Sequence, residues 1–223
     1  MLPEVDRNDL IAVAVWYNWW ERRKATHGEA IQSPARTAQS ISALTLNYSR
    51  AKKKKPGIDR HGWVKPKDNF VKLNVDAGFS ADAGSGSTGA ILRDDRGGFL
   101  AASCCGIPFI SDPSSAEARA LRDGLILVGQ VGCNRIEVNS DCMDVIEVMN
   151  QGGNSFGPAA AIYEECSMLC HSFTEVVFSH FPREANMAAH VLARHSEGPE
   201  SIVWLDDPHD FIFSVLANDV TVM

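Results

Sequence analysis

Between Phe70 and Cys105 the chain is written in three short β-rich runs separated by two tight-turn signals, and this stretch constrains its fold most. Phe70-Val71-Lys72-Leu73-Asn74-Val75-Asp76 mixes alternation with β-formers. A Gly/Ser-rich turn leads to Thr88-Gly89-Ala90-Ile91-Leu92-Arg93, and Asp94-Asp95-Arg96-Gly97-Gly98 makes a second turn before Phe99 to Cys105. Runs of this kind predict an antiparallel meander. The period then changes: Pro113 to Gly132, with Ala116, Ala120, Leu121, Leu125 and Val128, predicts a long helix. Arg135 to Asn139 reads as a fourth strand, followed by a helix to Gln151 that Asp141 can cap. Pro158 to His171 predicts another helix, Glu175 to Phe181 a fifth strand, and Glu184 to His195 a last helix. The order βββ-α-β-α-α-β-α predicts an α/β fold, a mixed sheet with helices packed on its faces.

Both flanks differ from this block. Asp9 to Thr26 carries Trp16, Trp19 and Trp20 at helical spacing, followed by Glu21, Arg22, Arg23 and Lys24, which predicts an amphipathic helix whose aromatic stripe is a packing face. A second helix is expected from Pro34 to Arg50, with Ser33 as its cap. Residues 51–68 contain Lys52, Lys53, Lys54 and Lys55, then Pro56-Gly57 and Lys65-Pro66-Lys67, and read as a mobile basic linker. The expected organisation is a helical segment over 1–50, a linker over 51–68, the α/β domain over 69–197 and a tail over 198–223.

Charge divides along the same line. Residues 1–72 hold 14 Lys and Arg against 7 Asp and Glu, whereas 73–223 hold 7, all arginine, against 21. A basic front and an acidic back imply separate electrostatic tasks. The apolar run Leu10 to Tyr17 is too short to span a bilayer, and Glu4, Asp6 and Asp9 precede it where a secretory signal carries positive charge. The chain is therefore expected to be soluble and intracellular, in nucleus or cytoplasm, with no membrane partner. The six cysteines include no C-x-x-C pair. Cys166, Cys170 and His171 read as one face of a helix more readily than as a zinc site. Gly84-Ser85-Gly86-Ser87-Thr88-Gly89 spells a dinucleotide fingerprint, but it leads into a strand rather than a helix and reads as a hairpin turn.

Three acids carry the chemistry. Asp76 lies in the first strand, Glu117 early in the first long helix of the domain, and Asp141 where the fourth strand meets its helix. Singly they read as a strand-end polar residue, a solvated helix position and a helix cap. With strands one and four side by side, the two aspartates converge and the helix presents Glu117 above them. Carboxylates about 4 Å apart repel by on the order of 4 kcal/mol at an effective dielectric near 20. A divalent cation turns that penalty into affinity. Oxygen ligands suit Mg²⁺ or Mn²⁺, and a pair of such ions serves phosphodiester hydrolysis, one activating water and one stabilising the leaving oxygen.

The stretches Lys72-Leu73-Asn74-Val75-Asp76-Ala77-Gly78-Phe79 and Thr88 to Gly97, with Ala116-Glu117-Ala118-Arg119-Ala120-Leu121 and Asn139-Ser140-Asp141-Cys142, resemble plant ribonuclease-H-like domains of the reverse-transcriptase-like family. Those domains derive from non-LTR retrotransposons. His180 to Ala193 matches the family's closing motif, through Arg183, Asn186 and Leu192. The opening from Trp16 to Arg23 resembles the tail of the upstream zinc-binding region in those elements, and Trp204 to Val220 the short tail of many members. The resemblance implies a five-stranded sheet with strands 1–3 antiparallel and strands 4 and 5 parallel to strand 1. It also implies a type-1 ribonuclease H, which cleaves the RNA strand of RNA–DNA hybrids without sequence specificity and uses two Mg²⁺ or Mn²⁺ ions. Asp76, Glu117 and Asp141 would be the metal ligands. The family's fourth acidic position falls on His190, whose imidazole accepts a proton or binds metal when neutral. Gly78, Arg183, Asn186 and the Lys52–Lys55 run are candidate nucleic-acid contacts. The alternative is a non-catalytic descendant serving as a nucleic-acid-binding or interaction module, for which His190 and the acidic domain argue.

Overall fold

The computed structural model describes residues 7–28, 30–53, 62–196 and 198–220, and divides at Asp59 into two units. The first unit is a pair of helices, α1 (Arg7–Thr26) and α2 (Pro34–Lys53). The aromatic stripe packs only in part, and the aromatic that it buries is Tyr17 rather than one of the three tryptophans. Tyr17 is buried, Trp16 and Trp20 stack at 6.3 Å between centroids, and Lys24 Nζ sits 3.6 Å over the Trp20 ring, while Trp19 remains exposed. The Arg36 backbone N–H donates to Ser33 Oγ at 3.5 Å, which fits the expected cap. Lys52 and Lys53 extend α2 three residues past Arg50, whereas Lys54 and Lys55 lie outside the described residues.

In the second unit the meander forms as β1 (Val71–Ser80), β2 (Ser85–Arg93) and β3 (Phe99–Ile107). The glycine-rich hexamer is mostly strand: the turn occupies residues 81–84, and Gly86 and Gly89 lie within β2. Next come α3 (Pro113–Val131), β4 (Arg135–Ser140), α4 (Met143–Asn150), α5 (Ala160–Cys170), β5 (Glu175–His180), a 3₁₀ turn at Arg183–Ala185 and α6 (Met187–His195). Helix α3 is well specified locally. Asp112 accepts the Ser115 N–H at 2.9 Å, Pro113 takes the first helical position, and Gly132 closes the helix at φ 79°.

The sheet order is β5-β4-β1-β2-β3-β6, with β1–β2 and β2–β3 antiparallel and β1–β4 and β4–β5 parallel. This is the mixed sheet expected, enlarged by one strand. The added β6 (Ile202–Leu205) comes from the segment read as a tail; it pairs antiparallel with β3 and leads into α7 (Asp210–Val220). Helices cover both faces. Leu73, Val75, Leu92, Ile136 and Val138 form the main apolar core with Leu121, Leu125 and Val128 of α3. On the other face Ile91, Ala102 and Cys104 pack with Ala188, Ala189 and Leu192 of α6 and Ile212 and Leu216 of α7. Two glycines allow the helices to lie close. A Cβ at Gly124 would meet Val75 Cγ1 at 2.7 Å, and one at Gly89 would strike the Ala189 carbonyl and the Ala193 N–H of α6. The second contact sets α6 directly on β2, which brings its first turn to Asp76 of β1.

The linker reading fails at both of its described ends, since residues 51–53 belong to α2 and Trp63 is buried. Residues 54–61 lie outside the described residues, but Trp63 is 2% exposed, buried against the sheet despite its Lys- and Pro-rich surroundings.

Candidate active site

Alternation along β1 points Leu73 and Val75 into the core under α3, so Asn74 and Asp76 point to the α6 face. The parallel pairing of Asn74 with Asn139 continues the two strands in register toward Asp76 and Asp141. Glu117, one turn into α3, completes the group. Asp76 and Glu117 both interact with the backbone N–H of Ala77, so these two acids meet around one peptide group.

The three acids influence one another electrostatically. Burial, then the neighbouring Asp76 and Asp141 carboxylates, push Glu117 up from an ordinary 4.5 to about 8. Burial and Asp141 likewise raise Asp76, against the opposing hydrogen bond from His190. Glu117 Oε2 is buried without a hydrogen-bond partner. A metal-free carboxylate in this position holds its proton at neutral pH.

The other expected residues separate. His190 does reach the site: its Nδ1 lies 2.7 Å from Asp76 Oδ2, and Arg183 Nη2 lies 3.2 Å from its Nε2. The same Arg183 nitrogen also lies 3.4 Å from His190 Nδ1, so the guanidinium meets the ring across both nitrogens while Nδ1–H is placed to donate to Asp76. Arg183 is exposed, as a phosphate contact requires. Asn186 is not: it is 1% exposed and turned inward, donating to the Val75 carbonyl at 2.8 Å and to Asp141 Oδ1 at 3.1 Å. Its place is behind the carboxylates rather than at a nucleic-acid surface. Asp141 caps no helix. The cap position of α4 is Cys142, which makes no side-chain capping bond, and the Asp141 carboxylate is engaged by Asn186 instead. Gly78 lies within β1 opposite Ser87, where an added Cβ would meet Ser87 Oγ at 2.6 Å.

Residues 74–196 match the model of the reverse transcriptase-like family, which is more than half of the chain. The chain belongs to that family. A candidate ribonuclease H protein of Arabidopsis thaliana is 25% identical to it over 205 residues, covering 86% of this chain and 32% of that protein. The chain thus spans about a third of the length of that relative. Among solved structures, the N-terminal RNase H domain of a Mycobacterium tuberculosis protein aligns with a TM-score of 0.52 at 26% identity, covering 56% of this chain and 90% of that one. RNase H1 of the halophilic archaeon Halobacterium salinarum aligns at 0.53 and 23%, covering 56% and 96%. LC11-RNase H1, solved in complex with an RNA/DNA hybrid, aligns at 0.50 and 22%, covering 56% and 95%. The last two, under 25% identical, speak to the fold alone.

Within this reverse transcriptase-like domain the arginines do not gather into one patch. Arg93 is 1% exposed, its guanidinium 3.8 Å from the Trp63 ring centroid. Arg122 is engaged by Asp123 and Glu165, Arg119 lies 3.5 Å from Asp123, and Arg96 is exposed in the β2–β3 turn. Arg183, in contrast, lies against His190 at the candidate site. Two residues of the family domain's polar face were missed from sequence, Trp63 and Asn74. The signal was there for the first: a lone indole in an otherwise polar segment is rarely left in water. The Cys166 and Cys170 pair follows its helical reading, with Cys166 buried against α3. Among the described residues no helix is long and apolar enough to cross a membrane.

Proposed function

We propose that this chain is a divalent-metal-dependent endonuclease that hydrolyses the RNA strand of RNA–DNA hybrids. The observation that supports it most is the electrostatic coupling of Asp76 in β1, Asp141 just past β4 and Glu117 early in α3, with Glu117 raised to about 8 by its burial and then by the other two carboxylates. Family membership and the likeness to ribonuclease H structures support the same reaction class.

The residues fit a hard cation in donor chemistry. All three offer carboxylate oxygens, one of them, Glu117 Oε2, buried and unpartnered. The fit is incomplete in aim: among the described residues no three His, Cys, Asp or Glu side chains are gathered into a ready cage. His190 holds one oxygen of Asp76 and Asn186 one of Asp141. When bound, two Mg²⁺ or Mn²⁺ ions would supply an activated water and charge stabilisation at the leaving oxygen. The chain's own groups do the rest. Asp76, Glu117 and Asp141 would hold the cations, Glu117 in its deprotonated form. Arg183 offers its guanidinium to a backbone phosphate at the mouth of the site. His190, hydrogen-bonded to Asp76, is placed to accept or return a proton beside the reacting phosphate. The hybrid would be recognised through groove shape, phosphates and the 2′-hydroxyl.

The His190–Asp76 bond favours one other reading, a descendant that binds nucleic acid or a partner without cutting. Cleavage of an end-labelled RNA–DNA hybrid by the full chain with Mg²⁺ or Mn²⁺ separates the two. Activity lost in Asp76→Asn and retained or raised in His190→Asp supports the nuclease. No cleavage by wild type with either ion, together with no metal-induced rise in Tm, supports the binding module.

A further inference from the structure

On the buried face of β1 a line of hydrogen bonds runs from the segment before the domain to the candidate metal site. Trp63 Nε1–H donates to Asn74 Oδ1 at 2.9 Å, Asn74 Nδ2 donates to Asn186 Oδ1 at 3.1 Å, and Asn186 Nδ2 donates to Asp141 Oδ1 at 3.1 Å. Every donor points the same way, toward the carboxylate. The amide orientations are fixed by their partners: a flipped Asn74 would turn its NH₂ against the indole N–H and against Arg93 Nη2, which lies 3.4 Å from the same oxygen. Trp63, Asn74 and Asn186 are each 2% exposed or less, so water does not compete for these bonds. Trp63 is itself held, its ring under the Arg93 guanidinium and the next carbonyl, Val64, bonded by Lys72 Nζ at 2.6 Å.

We propose that Trp63 and Asn74 are positioning residues for Asp141: they fix the Asn186 amide, which in turn aims the Asp141 carboxylate at the site. This rests on the reading of Asp141 as a metal ligand. Aligned dipoles polarise one another in a low-dielectric interior, and the chain ends on an anion, where such a bond is strongest. Residues 62–66 thereby belong to the working domain, although they precede its first strand.

The test is Mn²⁺ affinity of the full chain by isothermal titration, for wild type, Trp63→Phe and Ile91→Val. Trp63→Phe keeps an aromatic ring beneath Arg93 and removes the donor together with part of the indole's volume, the packing loss for which Ile91→Val is the control. Ile91→Val trims the same sheet face beside Asn74, its cross-strand partner, and removes no donor or acceptor of the relay. Direct outer-shell partners change metal affinity by about 10–100-fold, so a residue two bonds further back is expected to weaken it about threefold to tenfold. That loss in Trp63→Phe with Ile91→Val unchanged supports the proposal. Unchanged affinity in Trp63→Phe, or an equal loss in Ile91→Val, overturns it. The relay is also read from its other end: in Asp141→Asn the Trp63 indole N–H resonance moves while that of Trp204 stays. An unmoved Trp63 resonance overturns the relay whatever the metal does. A wild-type chain that binds no Mn²⁺ overturns the proposed function itself and takes the metal role of the relay with it.

Discussion

Leu73 and Val75 point from β1 into an apolar layer under α3, whereas Lys72, Asn74 and Asp76, their immediate neighbours, point to the α6 face and are almost equally buried. The two faces are held by different physics. Under α3 any well-shaped apolar side chain serves, because dispersion and dehydration are non-directional. On the α6 face each polar group has a specific partner. Lys72 meets the Val64 carbonyl, Glu137 at 3.5 Å and the faces of Trp63 and Phe181; Asn74 meets Trp63 and Asn186; Asp76 meets His190. Burial lowers the Lys72 pKa, against the pull of Glu137. The apolar face supplies stability, and the polar face supplies register and the aim of the acids.

Removing chemistry from the polar face is expected to have the largest effect. Asp76→Asn should reduce hybrid cleavage to background with the fold intact, measured with a labelled substrate beside circular dichroism; cleavage that persists places the site elsewhere. Next is the apolar face: Leu73→Ala should cost about 2–5 kcal/mol in denaturant unfolding while leaving metal affinity per folded molecule unchanged. A matching loss of metal affinity would break the division between the faces.

Glu117 gives a sharper test of the same division. Its folded pKa of about 8 lies above its ordinary 4.5, so the folded chain keeps a proton that the unfolded chain releases between those values. Stability therefore falls as pH rises from about 4.5 to about 8, by on the order of 5 kcal/mol at about 1.4 kcal/mol per tenfold change in proton affinity. Glu117→Gln should flatten that decline in urea titrations, and Mg²⁺ at pH 8 should raise the Tm of wild type more than that of the variant. The smallest effect is expected at Lys72→Met. Replacing a buried charge by an apolar side chain of similar length removes a desolvation cost along with its partners, and typically lands within about 1–2 kcal/mol of neutral or better only when packing is kept. A loss beyond that would show that Lys72 anchors the 62–66 segment more firmly than its pairing implies.

What could be read from sequence divides along the same line. Alternation marked Phe70 to Asp76 as a strand, and the order of elements marked the mixed sheet, because hydrophobic pattern and element order are written locally. The partners of Lys72, Asn74 and Asp141 are not. They come from positions 8 to 112 residues away, and an inward-facing Asn186 looks the same in sequence as one on the surface. Trp63 was hidden by the lysines and prolines around it. Ile202-Val203-Trp204-Leu205 was hidden by its brevity, four residues between a Gly/Pro stretch and Asp206-Asp207-Pro208.

That short strand has a consequence for the order in which the chain is made. The central strands β1, β2 and β3 emerge first from the ribosome, but the outer edge of β3 finds its partner only once residues 202–205 have followed, nearly a hundred residues later. Until then the nascent sheet carries an open edge, the kind of surface on which unfinished chains pair with one another. Stop codons between α6 and β6 should therefore give a protein that aggregates during expression rather than one that lacks only a tail.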